Sequence, residues 1–216
     1  MCGRKTLSKD VASIIKEMDI EQWEAHDYKP NYNIAPTDSS LVLIKDMIRK
    51  TKMMRWGLIP SWVKNDSFSS KMINARAETV LEKPSFYDLV HKNRCVVLCD
   101  GYFEWARQDS QPYYIRHPKN NILPLAGLWT KCNDSNSNTL FTYTVLTTAP
   151  CKNISHIHNR MPVILNKKNT EQWINCKKFS ASDCLIGFPN VKTDLVFYPV
   201  STNVNSTKNN SAENIN

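Results

Sequence analysis

Glycine is scarce in this sequence, at five of 216 residues. That scarcity makes nucleotide-fold readings weak: the sequence has neither a glycine-rich loop to cradle a phosphate nor a G-x-S-x-G elbow to present a serine nucleophile. No apolar run approaches the roughly 18 residues needed to span a bilayer. The residues after Met1-Cys2-Gly3-Arg4 are too polar for an export signal. The expected location is the nucleus if the source is eukaryotic and the cytoplasm otherwise, without membrane contact or secretion. The seven cysteines form no C-x-x-C pair, and their odd number fits reduced thiols. Cys95 and Cys99 lack a second pair to complete a tetrahedral site, and His156 and His158 lack a third ligand nearby. Neither a metal nor a cofactor is expected.

Aromatic residues are plentiful: six Trp, eight Tyr and seven Phe supply material for one sizeable core. The net charge of +8 is unevenly spread. Residues 45–76 carry eight basic side chains against two acidic ones, interleaved with Trp56, Trp62 and Phe68, while residues 1–44 are slightly acidic. Basic side chains neutralise phosphates and aromatic faces stack on unpaired bases, so this stretch permits nucleic-acid binding. A solvated basic surface over core aromatics would read the same way.

Apolar spacing over 7–18 (Leu7, Val11, Ile14, Ile15, Met18) predicts a helix. Residues 41–44, 94–99, 123–129, 140–148 and 195–200 read as strands, rich in β-branched and aromatic side chains. Helices are expected over 84–92, 170–175 and 180–186. The polar run 133–138 reads as a hairpin tip. No βαβ rhythm appears, so the expected class is α+β: a single domain over 1–205 with a predominantly antiparallel, barrel-like sheet core and short peripheral helices. Residues 206–216 continue an Asn-rich tail expected to be loosely held.

Four places could carry chemistry. Cys2 is the first. Removal of Met1 would expose an α-amine and a thiol on one carbon framework, and the amine's ordinary pKa of about 7.7–8.0 leaves a useful fraction neutral near pH 7. Such a 1,2-aminothiol condenses with an aldehyde, first to a Schiff base and then to a thiazolidine. Catalysis by an N-terminal nucleophile using its own amine as base is another use, and a cysteine there by chance would simply fray into solvent. In Lys71-Met-Ile-Asn-Ala-Arg-Ala-Glu78, Asn74 can orient an amine or a sugar oxygen and Arg76 can fork onto phosphate, unless Glu78 merely pairs with Arg76. In Asp100-Gly-Tyr-Phe-Glu-Trp105, Gly101 permits a tight turn or a close backbone approach. The flanking aromatics would desolvate Glu104 and raise its pKa, although a lone Glu more often sits in a surface turn. In Ile157-His-Asn-Arg-Met-Pro162, His158 could move a proton near pH 7 with Arg160 as a phosphate contact, or serve as a structural hydrogen bonder.

Taken together, Cys2-Gly3-Arg4, Asn33-Ile34-Ala35-Pro36-Thr37, Arg55-Trp56-Gly57-Leu58-Ile59-Pro60-Ser61-Trp62, Asn74-Ala75-Arg76-Ala77-Glu78, Gly101-Tyr102-Phe103-Glu104-Trp105 and His158-Asn159-Arg160-Met161-Pro162 resemble the SRAP (SOS-response-associated peptidase) family in the same order. The likeness runs from Cys2 to about residue 210. The runs 94–101 and 200–205 look more like its eukaryotic branch. The resemblance implies binding of single-stranded DNA and single-strand/double-strand junctions, and capture of abasic sites through Cys2 as a thiazolidine crosslink. It further implies self-removal of Met1. Asn74 would position the amine and sugar, Glu104 would relay protons, and His158 would assist Schiff-base formation and reversal. Arg4, Arg55, Lys71, Arg76 and Arg160 are the implied DNA contacts, with Trp56 and Trp62 stacking on or wedging between bases. The chain ends soon after the last motif, so contact with a replication clamp is not expected, and a monomer is.

Two other readings remain open. A cysteine peptidase acting in trans would use Cys2 and His158 as nucleophile and base. A noncovalent module reading modified bases in DNA would not need Cys2 at all.

Overall fold

The computed structural model describes residues 2–63, 71–133, 138–188 and 194–216. Strand β1 (Arg4–Leu7) leads into helix α1 (Val11–Met18). The Asp10 carboxylate accepts from the Ser13 backbone N–H at 2.9 Å and starts the helix there. The sequence expectation of a helix beginning at residue 7 is corrected accordingly: Leu7 has the right spacing, but the cap lies three residues later and Leu7 ends a buried strand. Asp19 closes α1 in the left-handed region, with φ 49°.

Five strands then build a closed barrel: β3 (Ser39–Lys45), β4 (Arg49–Trp56), β6 (Arg94–Cys99), β9 (Leu123–Asn133) and β10 (Thr139–Thr148). The order β10-β4-β3-β6-β9 returns to β10 because β9 and β10 also pair, with Asn133 opposite Thr139. The hairpin tip expected between them has residues 134–137 outside the described residues. Only the β10–β4 contact in this ring is parallel. Two short strands extend the edges of β10 where its barrel neighbours stop. Strand β5 (Asn74–Arg76) runs parallel to it and β11 (Met161–Pro162) antiparallel, so Thr147 faces Arg76 on one side and Pro162 on the other.

A second, fully antiparallel sheet has the order β2-β1-β7-β8-β12, with β2 (Asn31–Ile34), β7 (Gly101–Trp105), β8 (Pro112–Arg116) and β12 (Val196–Pro199). Helices α2 (Pro84–Lys92), α3 (Lys167–Ile174) and α4 (Ala181–Gly187) lie outside the strands, α3 and α4 capped by Asn166 and Ser180. No helix among the described residues is long and apolar enough to cross a membrane. The α+β class with a barrel-like, mostly antiparallel core is what the chain adopts.

Strand β4 carries much of the basic stretch, and its fold disperses that charge. Lys45 and Arg49 converge on Glu171 at 2.6 and 2.8 Å, Lys50 lies 3.5 Å from Glu24, and Lys52 sits over the Phe141 ring. The expected tail also behaves differently. Asn33 Nδ2 donates to the carbonyls of Ser206 and Asn209 at 3.0 and 2.7 Å, and the Tyr32 backbone N–H donates to Asn210 Oδ1 at 2.7 Å. Tyr198 donates its hydroxyl to the Ile215 carbonyl, and Asn214 is buried. Instead of hanging loosely, residues 206–216 are docked on β2 and β12, because asparagine side chains bond backbone groups that lack strand partners.

Gly101 owes its identity to packing. A Cβ there would lie 2.2 Å from the Tyr114 hydroxyl oxygen, and Tyr114 is locked by Thr6 Oγ1 at 2.8 Å. Gly101→Ala should therefore destabilise the protein by about 1–3 kcal/mol through overpacking. Urea titration should show a lower midpoint at an unchanged slope, and an unchanged midpoint would mean that the Tyr114 ring moves aside freely.

Candidate active site

The two sheets meet where the chain begins. Cys2, two residues before the start of β1, is fully buried, and its carbonyl accepts a hydrogen bond from Asn74 Nδ2 at 2.9 Å. Asn74 belongs to β5 of the barrel sheet and Cys2 leads into the other sheet, so this bond crosses the seam. Asn74 Oδ1 is buried and makes no hydrogen bond among the described residues. Glu104, on β7 next to β1, is 3% exposed. Burial pushes its carboxyl up to about 7, and burial followed by the Glu104 charge pushes the Cys2 thiol well above its ordinary value. Cys2, Asn74 and Glu104 are thus brought together.

His158 lies half-buried in the loop before β11. The Arg160 backbone N–H donates to its Nδ1 at 3.1 Å and the Arg160 carbonyl lies 3.3 Å from the same nitrogen, so the Arg160 backbone orients the ring through Nδ1. Burial, together with the nearby positive charge of Arg107, lowers the imidazole pKa. The ring is therefore neutral near pH 7. It is tied to the same end of β10 that holds Asn74, through strands β5 and β11.

The residues expected to touch DNA divide into two groups. Lys71 and Arg76, three residues before and two after Asn74, are exposed, Arg55 is half-buried at the end of β4, and Trp62 is 63% exposed. Trp56 is a correction, and Arg4 and Arg160 are engaged within the protein. Trp56 has no exposed surface; its indole N–H donates to the Ile73 carbonyl and its ring stacks on Tyr143 at 6.3 Å, so it fills the barrel and cannot wedge between bases. Arg4 Nη1 donates to Asn33 Oδ1 and to the Val204 carbonyl at 2.7 and 2.6 Å, which turns it toward the tail. Arg160 is drawn inward onto Glu78 and Thr147.

Two neighbours of the site were not expected. Lys5 is fully buried, donates to Ser40 Oγ at 2.9 Å, and lies 5.6 Å from the Trp56 ring and 5.9 Å from that of Tyr143. Burial pulls its ammonium down to about 8, and nothing in its sequence neighbourhood marks it as buried. Tyr102 shares the Glu104 face of β7 by strand alternation, a signal available in the sequence. Its hydroxyl is buried without a hydrogen bond among the described residues.

The arrangement defines a class: proteins whose second residue is held by its backbone at a sheet seam beside a carboxyl poised to exchange protons. Comparison with known proteins narrows this. The chain belongs to the SOS response associated peptidase (SRAP) family, whose pattern matches residues 1–207. It is similar to abasic site processing protein YoqW of Bacillus subtilis, at 41% identity over 99% of this chain and 98% of that one. Abasic site processing protein HMCES of Xenopus tropicalis is 35% identical over 86% of this chain and 65% of its own length. Identity is thus higher to the Bacillus protein than to the vertebrate one, and the eukaryotic look of 94–101 and 200–205 is local. A crystal structure of a Bacteroides thetaiotaomicron protein shares the fold, with a TM-score of 0.84 at 24% identity over 94% of this chain and 93% of that one.

The elevated Glu104 carboxyl has a signed consequence for stability. A folded pKa of about 7 above an ordinary 4.5 means that the native protein holds this proton more tightly than the unfolded chain. The stabilisation is complete below about pH 4.5 and is lost as pH rises through about 7, at about 1.4 kcal/mol per unit. Glu104→Gln should therefore gain stability relative to the native sequence at pH 8 and lose that advantage at pH 4.5. Denaturant titrations at both pH values give the comparison; a difference that does not change with pH would show an unperturbed carboxyl.

Proposed function

We propose that the protein processes abasic sites in single-stranded DNA by covalent capture, after Met1 has been removed by the chain's own activity. The observation that carries this reading is the bond from Asn74 to the backbone of Cys2 beside a buried carboxyl titrating near 7, in a family whose named relatives process abasic sites.

The freed Cys2 amine adds to C1′ of the ring-opened deoxyribose, and loss of one water gives an imine. The thiol then adds across the C=N bond, its sulfur to carbon and its proton to nitrogen, closing a thiazolidine. Sugar aldehyde and aminothiol thus yield the ring and one water. The thiol starts protonated, as its raised pKa requires, so the amine attacks first. Glu104 suits both transfers: near pH 7 it is protonated in part, able to donate to the departing oxygen and to accept from the attacking nitrogen. Asn74 Oδ1 is the acceptor placed to orient the amine or a sugar hydroxyl. Neutral His158 can exchange a proton with the sugar or the imine. Lys71 and Arg76 bind phosphates beside Asn74, Arg55 adds to that field, and Trp62 stacks on an unpaired base. Strand–duplex junctions and a monomeric state fit the same reading.

Incubation with a single-stranded abasic oligonucleotide should leave a band resistant to SDS. Cys2→Ala should abolish it, and Glu104→Gln should slow it while sparing affinity for intact DNA. An unmodified protein that binds the oligonucleotide without forming the band would instead be a noncovalent module. Intact mass after reaction reports Met1 loss and adduct stoichiometry together.

DNA affinity should separate the interface residues. Arg76→Ala or Lys71→Ala should lower the slope of log affinity against log salt by about 1. Trp62→Ala should weaken binding by about 1–3 kcal/mol. Trp56→Ala should instead lose about 3–5 kcal/mol of folding stability. A Trp62 variant binding like the unmodified protein would remove it from the interface.

A further inference from the structure

Arg160 and Glu78, 82 residues apart, form a two-pronged pair: Nη1 to Oε1 and Nη2 to Oε2, each 2.8 Å. Nη2 also donates to the Thr147 carbonyl and lies 3.2 Å from Thr147 Oγ1, which in turn reaches the Ala75 carbonyl at 3.4 Å. The Arg160 side chain is only 16% exposed. A bidentate guanidinium–carboxylate pair fixes orientation as well as distance, which an ammonium in its place would not do.

The location gives the pair its meaning. Thr147 stands at the end of β10 with β5 on one edge and β11 on the other. Glu78 follows β5 and Arg160 precedes β11, so the pair bridges the two edges across the end of β10. Those edges carry the two parts of the site, Asn74 on β5 and His158 just ahead of β11. The same Arg160 whose guanidinium is gripped by Glu78 supplies the backbone N–H that bonds His158 Nδ1.

The geometry points to Glu78 as a positioning residue for capture of the abasic sugar: through Arg160, whose backbone grips Nδ1, it holds the His158 ring in a single tautomer and at a set distance from Asn74. This rests on the function proposed above. Glu78 touches neither the substrate nor the reacting atoms. Its effect runs through a hydrogen bond that orients a histidine, as second partners of histidines do elsewhere.

The test pairs two readouts on Glu78→Gln and Arg160→Lys, the latter keeping the charge without the fork. Nitrogen shifts of the His158 ring in ¹⁵N-labelled protein report the tautomer, and the rate of SDS-resistant crosslinking to a single-stranded abasic oligonucleotide reports the reaction. Both variants should show a mixture of ring tautomers where the unmodified protein shows one, and crosslinking slowed by about tenfold. Binding to the same strand without an abasic site should not weaken in Glu78→Gln. The double variant should be no slower than the worse single one, because both substitutions break one device. Unchanged tautomer and rate would overturn the proposal. So would a slower rate with the tautomer intact, or a changed tautomer at full rate. If the unmodified protein forms no crosslink at all, the abasic reading falls instead, and an unchanged tautomer in both variants would separately remove the clamp.

Discussion

A fully buried lysine ammonium stands where the two sheets meet. Lys5 projects from β1 toward the barrel, to Ser40 on β3 and the faces of Trp56 on β4 and Tyr143 on β10. Removing a charge from water costs several kcal/mol unless it is compensated. Here a hydroxyl and two aromatic faces provide that compensation, and Ser40 is itself held by the Tyr143 hydroxyl at 2.7 Å. This requirement constrains the register of β1 against the barrel. Cys2 lies three residues upstream of Lys5, so the position of the proposed nucleophile follows from the lysine's need for partners.

The same burial sets the charge state of the surrounding groups. The Cys2 thiol and the Glu104 carboxyl are driven up, the Lys5 ammonium and the His158 imidazole down, each toward its neutral form. Lys5 and Cys2 attract each other when charged, yet desolvation outweighs that attraction for both. Near neutral pH the thiol and the imidazole are therefore uncharged and the carboxyl only partly ionised, while Lys5 keeps most of its charge, a setting in which small proton movements between a carboxyl and an amine need little reorganisation. A thiolate-first mechanism, as in peptidases that act in trans, would demand a cation strong enough to overcome that burial. Lys5, itself half discharged near pH 8, is a poor candidate.

Much of the fold was legible from the sequence. The strands at Arg94–Cys99 and Thr139–Thr148 and the helix at Pro84–Lys92 follow from β-branched runs and a proline at the helix start. Strand β4 was hidden by its composition, since Lys and Arg alternate with the buried side chains of Thr51, Met54 and Trp56. A basic run of that kind reads as a binding patch until the strand partners are known. Strands β1 and β2 are too short to show a period, and Leu7 fitted a helical spacing equally well. For the site, residue types identified Cys2, Asn74 and Glu104, because each motif carries its own chemistry. Which cations are engaged within the protein was not legible: it depends on residues far away in sequence, such as the Asn33 amide for Arg4 and the Glu78 carboxylate for Arg160.

That redistribution of charge sharpens what the surface can select. Of the basic side chains in 45–76, Lys45, Arg49 and Lys50 are matched by acidic partners and Lys52 by an aromatic ring, while Lys71 and Arg76, on either side of Asn74 in the sequence, are exposed. A broad positive face would hold any polyanion, including intact duplex. A narrow cationic rim would confine phosphates to the place where a sugar could reach Cys2. Affinity from a few phosphate contacts is modest and depends on salt, so such a rim would let the protein leave undamaged strands. Retention at a damaged one would then fall to the covalent step, making discrimination chemical rather than electrostatic.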